Sequence, residues 1–219
     1  PGHYGERYAY YLAERAKGGI GLVMYGGVAI HPTAAHEMPY ILGTAYDTEE
    51  AVPRFKQGTE MIHQHGAKVF MQMGHAGAHC TGSVSRLPVW APSPVPGLGT
   101  VVGRETPKPM EPEEIEEVIE HFGMAAENAR ASGFDGVELH GGTSYLLHQF
   151  LSPFWNRRTD EWGGSLENRL RFFLRVIDRV HRVTRDDMAL GVRLTVDDFV
   201  PIGFSINEMK EVARRLEAS

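Results

Sequence analysis

The strongest constraint on the fold is an alternation. Four short, almost continuously apolar runs, at residues 20–25, 68–73, 134–140 and 188–195, are separated by stretches with helical periodicity. Runs of this kind suit parallel strands covered on both faces and joined by right-handed helical crossovers. The intervening segments fit that scheme. Tyr8, Leu12, Ala13 and Ala16 recur at helical spacing, and Gly18-Gly19 closes the segment. Asp47 and Thr48 offer an N-cap for a second helix running to about His65, which Gly66 ends. Pro112 opens a third, with Glu113, Glu114, Glu116 and Glu117 near the positive end of the helix dipole. Its apolar stripe is Ile115, Val118, Ile119, Phe122 and Ala126. A fourth helix is expected from Leu166 to Thr184 and a fifth from about Ser205.

The fold class is therefore α/β. Both a (β/α)8 TIM barrel and a doubly wound sheet show this alternation, and the placement of polar residues favours the barrel. Gly26, Gly27, Gln72, His140 and Arg193 lie at or just beyond the ends of successive strands, and in a barrel these ends meet on the face where active sites are built. No G-x-G-x-x-G follows a strand, which argues against a dinucleotide-binding unit. Residues 74–108, rich in Gly, Pro and Ser without a sustained period, read as a long excursion, and loops of this length are usually functional or disordered.

Composition narrows the function. With 219 residues, 42% of them apolar, the chain can build one sizeable core, and its formal charge of −6 argues against nucleic acid or an anionic membrane as partner. There is neither a membrane-length apolar run nor a secretory signal pattern. The single cysteine, Cys80, excludes an intrachain disulfide and points to a reducing compartment, so a cytoplasmic enzyme is expected. His75 and His79 flank Cys80, but no acidic residue lies near them in sequence, and no metal site is expected. The opening at Pro1-Gly2-His3-Tyr4 and the closing helix suggest a partial chain.

Several residues stand out chemically. His140 ends a strand and leads into Gly141-Gly142-Thr143-Ser144-Tyr145, a turn able to aim three polar side chains into one pocket; the bland alternative is a histidine that only bonds its own loop. Gln72 lies in an apolar run, and an unpaired buried amide costs about 1–3 kcal/mol, so it requires a partner. A flavin pyrimidine edge would serve, and so would a backbone peptide. Arg193 must be paired or face an anionic or polarised group, with Asp197 or Asp198 as the nearest ion-pair candidates. The charge run at residues 157–161 reads by default as a solvated face.

Residues 133–140, 145–153 and 156–169 together closely resemble the signature of the Old Yellow Enzyme and 2,4-dienoyl-CoA reductase superfamily of NADH:flavin oxidoreductases. Residues 15–23, Gln72 with His75-Ala76-Gly77, Ala91-Pro92-Ser93 and Arg193 agree with that pattern in order along the chain. The resemblance implies a (β/α)8 barrel with FMN at its C-terminal face. The chain would cover roughly strands 2 to 5, as a partial FMN-binding domain of residues 1–219 without the first strand and strands 6 to 8. Such an open barrel would bind FMN weakly or not at all by itself.

By the same resemblance Gly27, Gln72 and Arg193 would contact the cofactor, His140 would bond the substrate carbonyl, and Tyr145 would donate a proton. Thr143 stands where ene-reductases of the family commonly carry Asn or His as a second donor, and Ala78 replaces an arginine. The implied reaction is hydride transfer from NADH or NADPH through FMN to an activated C=C bond. Ser144-Tyr145-Leu146 also looks like the amine-oxidising branch, whose members demethylate N-methyl amino acids. Some members carry an iron-sulfur cluster, which would lie outside this chain. The expected partners are a small-molecule substrate and, as an option, a second copy of the chain. The competing reading of another class is a flavin-free barrel lyase or binding module.

Overall fold

The computed structural model describes residues 6–34, 43–44, 48–97, 105–142 and 144–219. Thr143, Asp47 and the first five residues lie outside them. In chain order the regular elements are α1 (Glu6–Lys17), β1 (Leu22–Ala29), β2 (Gly43–Thr44), α2 (Thr48–His63), β3 (Lys68–Gly74), α3 (Gly82–Ser85), β4 (Trp90–Ala91) and β5 (Lys108–Pro109). There follow α4 (Pro112–Ala131), β6 (Gly136–Gly141), α5 (Leu146–Leu151), α6 (Leu166–Thr184), β7 (Ala189–Leu194) and α7 (Ile206–Glu217).

Strand order distinguishes the two candidate architectures. The main sheet runs β2-β1-β3-β6-β7 and every pairing is parallel. Each of the four long strands is added beside its predecessor, always on the same side, without the reversal that defines a doubly wound sheet. The helices follow the same sequence, α1 packing on α2, α2 on α4, α4 on α6 and α6 on α7. A run of neighbouring strands backed by neighbouring helices is an arc of a (β/α) barrel.

The two faces of this sheet differ, and the reason is the period-two alternation of strand side chains. On one face Val23, Tyr25, Val69, Met71, Met73, Val137 and Leu139 are almost fully buried, together with Ile115, Val118, Ile119 and Phe122 of α4. Tyr25 is the hub of an aromatic cluster, its ring edge-on to Phe55 at 5.7 Å and to Phe134 at 5.6 Å. On the other face lie Phe70, Gln72, Glu138, His140 and Arg193, partly exposed or exposed. The strands are thus less uniformly apolar than their sequence suggests, and the polar minority all points one way.

Three sequence expectations need correction. Gly26 and Gly27 are not beyond the strand but within β1, which runs on to Ala29. The ladder to β3 slips between Tyr25 and Val28, and Gly27 takes φ +74 in that bulge. The excursion contains structure: β4 and β5 pair in parallel, and Thr81 caps α3 through Ser83 N–H. In the charge run at 157–161, Arg157, Thr159, Asp160 and Glu161 are exposed as expected, and Arg158 is the exception. Arg158 is only 11% exposed and donates from one amino group to the carbonyls of Met110 (2.6 Å) and Pro92 (3.2 Å), and from the other to Asp160 at 2.5 Å. It clamps the excursion to the start of α4, because three carbonyl and carboxylate acceptors converge where an arginine fork can satisfy them.

The helix boundaries at Pro112, Leu166–Thr184 and Ile206 match their capping signals. Glu114 closes back on the Glu111 N–H at 2.8 Å, and Ser165 accepts from Asn168 N–H at 3.3 Å. Among the described residues no helix is long and apolar enough to cross a membrane.

Candidate functional site

The C-terminal ends of β1, β3 and β6 converge on a small cavity lined by Gly27, Val28, Gln72, Gly74, Ala76, His140 and Tyr145. Four of the residues singled out in the sequence, Gly27, Gln72, His140 and Tyr145, therefore meet in one place. A fifth, Arg193, lies on the neighbouring strand, in register with His140. Thr143 falls outside the described residues.

Parallel pairing builds this cluster. Gln72 pairs in register with Glu138, and its Nε2 donates to Glu138 Oε1 at 2.6 Å. Sequence reasoning demanded a partner for Gln72 and missed this one. The available signal was a carboxylate inside the run Val137-Glu138-Leu139, on the same face as His140 by alternation. Because Glu138 takes the amide N–H, the Gln72 oxygen is turned towards Gly26, the position where a Cβ on that glycine would lie 3.7 Å away. Arg193 does not pair with Asp197 or Asp198 as expected. Asp198 accepts from His148 Nε2 at 2.6 Å, Ser152 Oγ at 2.6 Å and Phe204 N–H at 3.1 Å, and Asp197 accepts from Phe199 N–H at 2.7 Å. Burial opposes ionisation of Asp198, but these donors hold its carboxyl below the usual range. Arg193 stays exposed, and among the described residues no carboxylate pairs with it.

Tyr145 is aimed by the backbone around it. Ser144 takes the left-handed conformation (φ 58), Leu146 N–H donates to the His75 carbonyl at 2.8 Å, and Gln149 N–H donates to the Tyr145 carbonyl at 2.7 Å. The fully buried Gln149 side chain ties the turn down, donating to Ser144 O at 2.6 Å and accepting from Ala78 N–H at 3.1 Å. Gly77 must be glycine here, since a Cβ on it would collide with the Gln149 amide. The Tyr145 ring lies 4.6 Å from that of His140 and packs on Ala76, Cys80 and Val89. Burial raises its hydroxyl pKa, with a smaller contribution from Cys80, so Tyr145 keeps its proton at neutral pH. Among the described residues nothing accepts a hydrogen bond from that hydroxyl.

His140 is driven the other way. Desolvation, reinforced by the Arg193 cation, pushes its pKa down to about 4, so the ring is neutral at pH 7. Gly142 N–H approaches Nδ1 at 3.4 Å, which assigns the ring proton to Nε2. This pKa has a consequence for stability. The unfolded chain binds a proton near pH 6.5 and the folded chain does not until about pH 4, so His140 contributes nothing to stability above about pH 6.5 and penalises folding progressively down to pH 4. The loss is about 2 kcal/mol between pH 7 and pH 5. Urea unfolding at the two pH values measures it, and His140→Gln should remove that part of the pH slope; an unchanged slope would contradict the depressed pKa.

Comparison with known proteins places this geometry. The family model described as "NADH:flavin oxidoreductase / NADH oxidase family" matches residues 2–218. An NADH oxidase of Thermoanaerobacter brockii is 38% identical over 219 residues, covering 99% of this chain and 33% of the relative. An N,N-dimethylglycine/sarcosine dehydrogenase of Chromohalobacter salexigens is 36% identical over 218 residues, 98% of this chain and 30% of the relative. A solved 2-naphthoyl-CoA reductase in complex with 2-naphthoyl-CoA superposes with a TM-score of 0.86 at 32% identity, over 99% of this chain and 34% of that one. The chain thus spans about a third of the length of these two curated relatives. With a barrel arc whose strand ends gather the residues that the sequence signature singled out, and a family match over nearly its whole length, the chain belongs to the NADH:flavin oxidoreductase / NADH oxidase family.

Proposed function

We propose that this chain contributes the carbonyl-binding and proton-donating half of an FMN-dependent oxidoreductase that reduces an activated C=C bond, such as an enone or enoyl thioester, at the expense of NADH or NADPH. The observation that carries this reading is the pairing of a neutral His140, protonated on Nε2, with a protonated Tyr145 in one cavity at the strand ends.

The residues present suit a planar flavin. Gly27 and Gly74 line the cavity without side chains, so a flat ring system can approach the backbone of β1 and β3. The Gln72 oxygen, left as an acceptor by Glu138, suits a pyrimidine N–H, and the uncompensated Arg193 cation suits the electron-rich end of a reduced isoalloxazine or its ribityl oxygens. When bound, FMN would supply the hydride. The chain's own part is separate. His140 Nε2–H bonds the substrate's carbonyl oxygen and stabilises the negative charge that grows there as hydride reaches the β-carbon. Tyr145 passes its hydroxyl proton to the α-carbon, completing addition of one hydride and one proton across the double bond. We place the enzyme in the cytoplasm, in keeping with its single, buried cysteine.

A second reading is oxidative demethylation of an N-methyl amine, favoured by the similarity to the dimethylglycine/sarcosine dehydrogenase. Here a neutral His140 beside Arg193 would bind the substrate's carboxylate. One experiment separates the readings. The full protein is examined for a flavin spectrum, titrated with NADH and NADPH without air, then offered cyclohexenone, an enoyl thioester or sarcosine. Bleaching by a nicotinamide and reoxidation by the enone or thioester is the expected result. Bleaching by sarcosine alone would select demethylation, and a colourless folded protein that takes up no FMN would remove both in favour of a flavin-free barrel.

A further inference from the structure

We propose that His31, Glu117 and His121 form a binding site for Zn2+ on the outer side of the barrel arc, separate from the strand-end cavity. The ligand atoms of these three side chains all lie within 4.8 Å of one another. None of the three lines the cavity. The proposal departs from the expectation of no metal, which rested on His75 and His79. Its ligands were invisible in sequence because His31 follows β1 while Glu117 and His121 lie 86 and 90 residues later in the chain.

The geometry is close to that of a bound metal. A tetrahedral zinc with bonds near 2.0–2.1 Å sets its ligand atoms roughly 3.3 Å apart. His31 Nε2 is 3.1 Å from Glu117 Oε1. Glu117 and His121 stand one helical turn apart on α4, so they present ligands from a single face. The rings of His31 and His121 meet edge to face at 4.4 Å, which brings the third ligand alongside the first two.

An outer partner orients the His121 imidazole in the manner of a metal ligand. His121 Nδ1 lies 3.0 Å from the Ile30 carbonyl oxygen, which can only accept, so Nδ1 carries the proton and Nε2 the lone pair. His31 Nδ1 lies 2.7 Å from Thr33 Oγ1, itself 2.8 Å from His75 Nε2, and Trp90 stacks on the His31 ring at 5.0 Å and 27°. Without metal, His31 Nδ1 accepts from Thr33 N–H at 3.2 Å and Nε2–H donates to Glu117. With metal on Nε2, that proton moves to Nδ1, the bond from Thr33 N–H is given up, and Thr33 Oγ1 accepts from Nδ1–H. No electron transfer is involved.

The donor set selects the ion. Two imidazoles and one carboxylate suit Zn2+, whereas Mg2+ and Ca2+ prefer all-oxygen sites. His31 is buried and Glu117 half-exposed, which leaves a solvent side for entry and for a water as fourth ligand. Bound there, the ion would cross-link the segment after β1 to α4.

The full protein, stripped with EDTA, is titrated with Zn2+ by calorimetry and with Co2+ by visible absorption. The expected result is one equivalent per chain at this site, with the d–d bands of low-coordinate Co2+. Glu117→Gln and His121→Asn should each weaken that equivalent at least tenfold, with flavin content unchanged. Glu117 is solvent-accessible, so its variant tests the site without threatening the fold. His65→Gln, in an exposed turn, should leave binding unaltered. No stoichiometric uptake, or uptake indifferent to both ligand substitutions, would overturn the proposal and leave a hydrogen-bonded cluster only.

Discussion

Tyr145→Phe is expected to slow reoxidation of the reduced protein by an enone about 10²–10⁴-fold, the usual worth of a positioned general acid, while leaving reduction by NAD(P)H within about twofold of the parent. The split is the informative part. Phenylalanine keeps the ring that packs on Ala76, Cys80 and Val89 and lies 4.6 Å from His140, so cavity and fold are conserved. Only the hydroxyl group, and with it the transferable proton, is removed. Anaerobic stopped-flow measurement of the two half-reactions checks it. Equal slowing of both would mean that Tyr145 shapes the cavity and does not deliver a proton; equal rates in both would leave the donor elsewhere.

His140→Ala should lower kcat/KM for the alkene by about 10²–10³-fold, as loss of an oxyanion-type donor does in other enzymes. The same variant should weaken binding of phenolic ligands that mimic the substrate's oxyanion, which can be read by calorimetry. The physical ground is the depressed pKa. A ring with pKa about 4 is neutral at pH 7, so it would bind a carbonyl by a directed N–H and carries no net charge to repel Arg193. Activity should therefore hold on the alkaline side of pH 5 without a His140 titration near pH 6.5. Finding such a titration in the pH profile of kcat/KM, and its loss in His140→Ala, would show that the ring is not desolvated in the working enzyme.

These expectations also mark where sequence reading succeeded and where it stopped. Gln72, His140 and Arg193 are legible in the sequence because polar residues in or at the ends of apolar runs are costly unless used, and Gly27 and Tyr145 through the family resemblance; the structure gathers all but Arg193 around one cavity. Arg158 was misjudged because its acceptors, the carbonyls of Met110 and Pro92, belong to distant segments and have no signature in side-chain identity. Asp197 and Asp198 are candidate partners of Arg193 by nearness in sequence, and the structure instead pairs Asp198 with His148 and Ser152.

What the sequence alone determined is the α/β class, the helix boundaries and the family. Hydrophobic period and capping residues act within a few positions of one another, and a long composite motif carries its own identity. Only the tertiary structure decided which of two architectures the alternation builds, because strand order is a relation between segments dozens of residues apart. It alone paired Gln72 with Glu138 and His31 with Glu117, since the register of parallel strands and the docking of α4 bring together groups that the chain keeps far apart. The same holds for the protonation of His140 and Tyr145. A pKa is set by burial and by neighbouring charge, and both exist only once the barrel arc has closed around them.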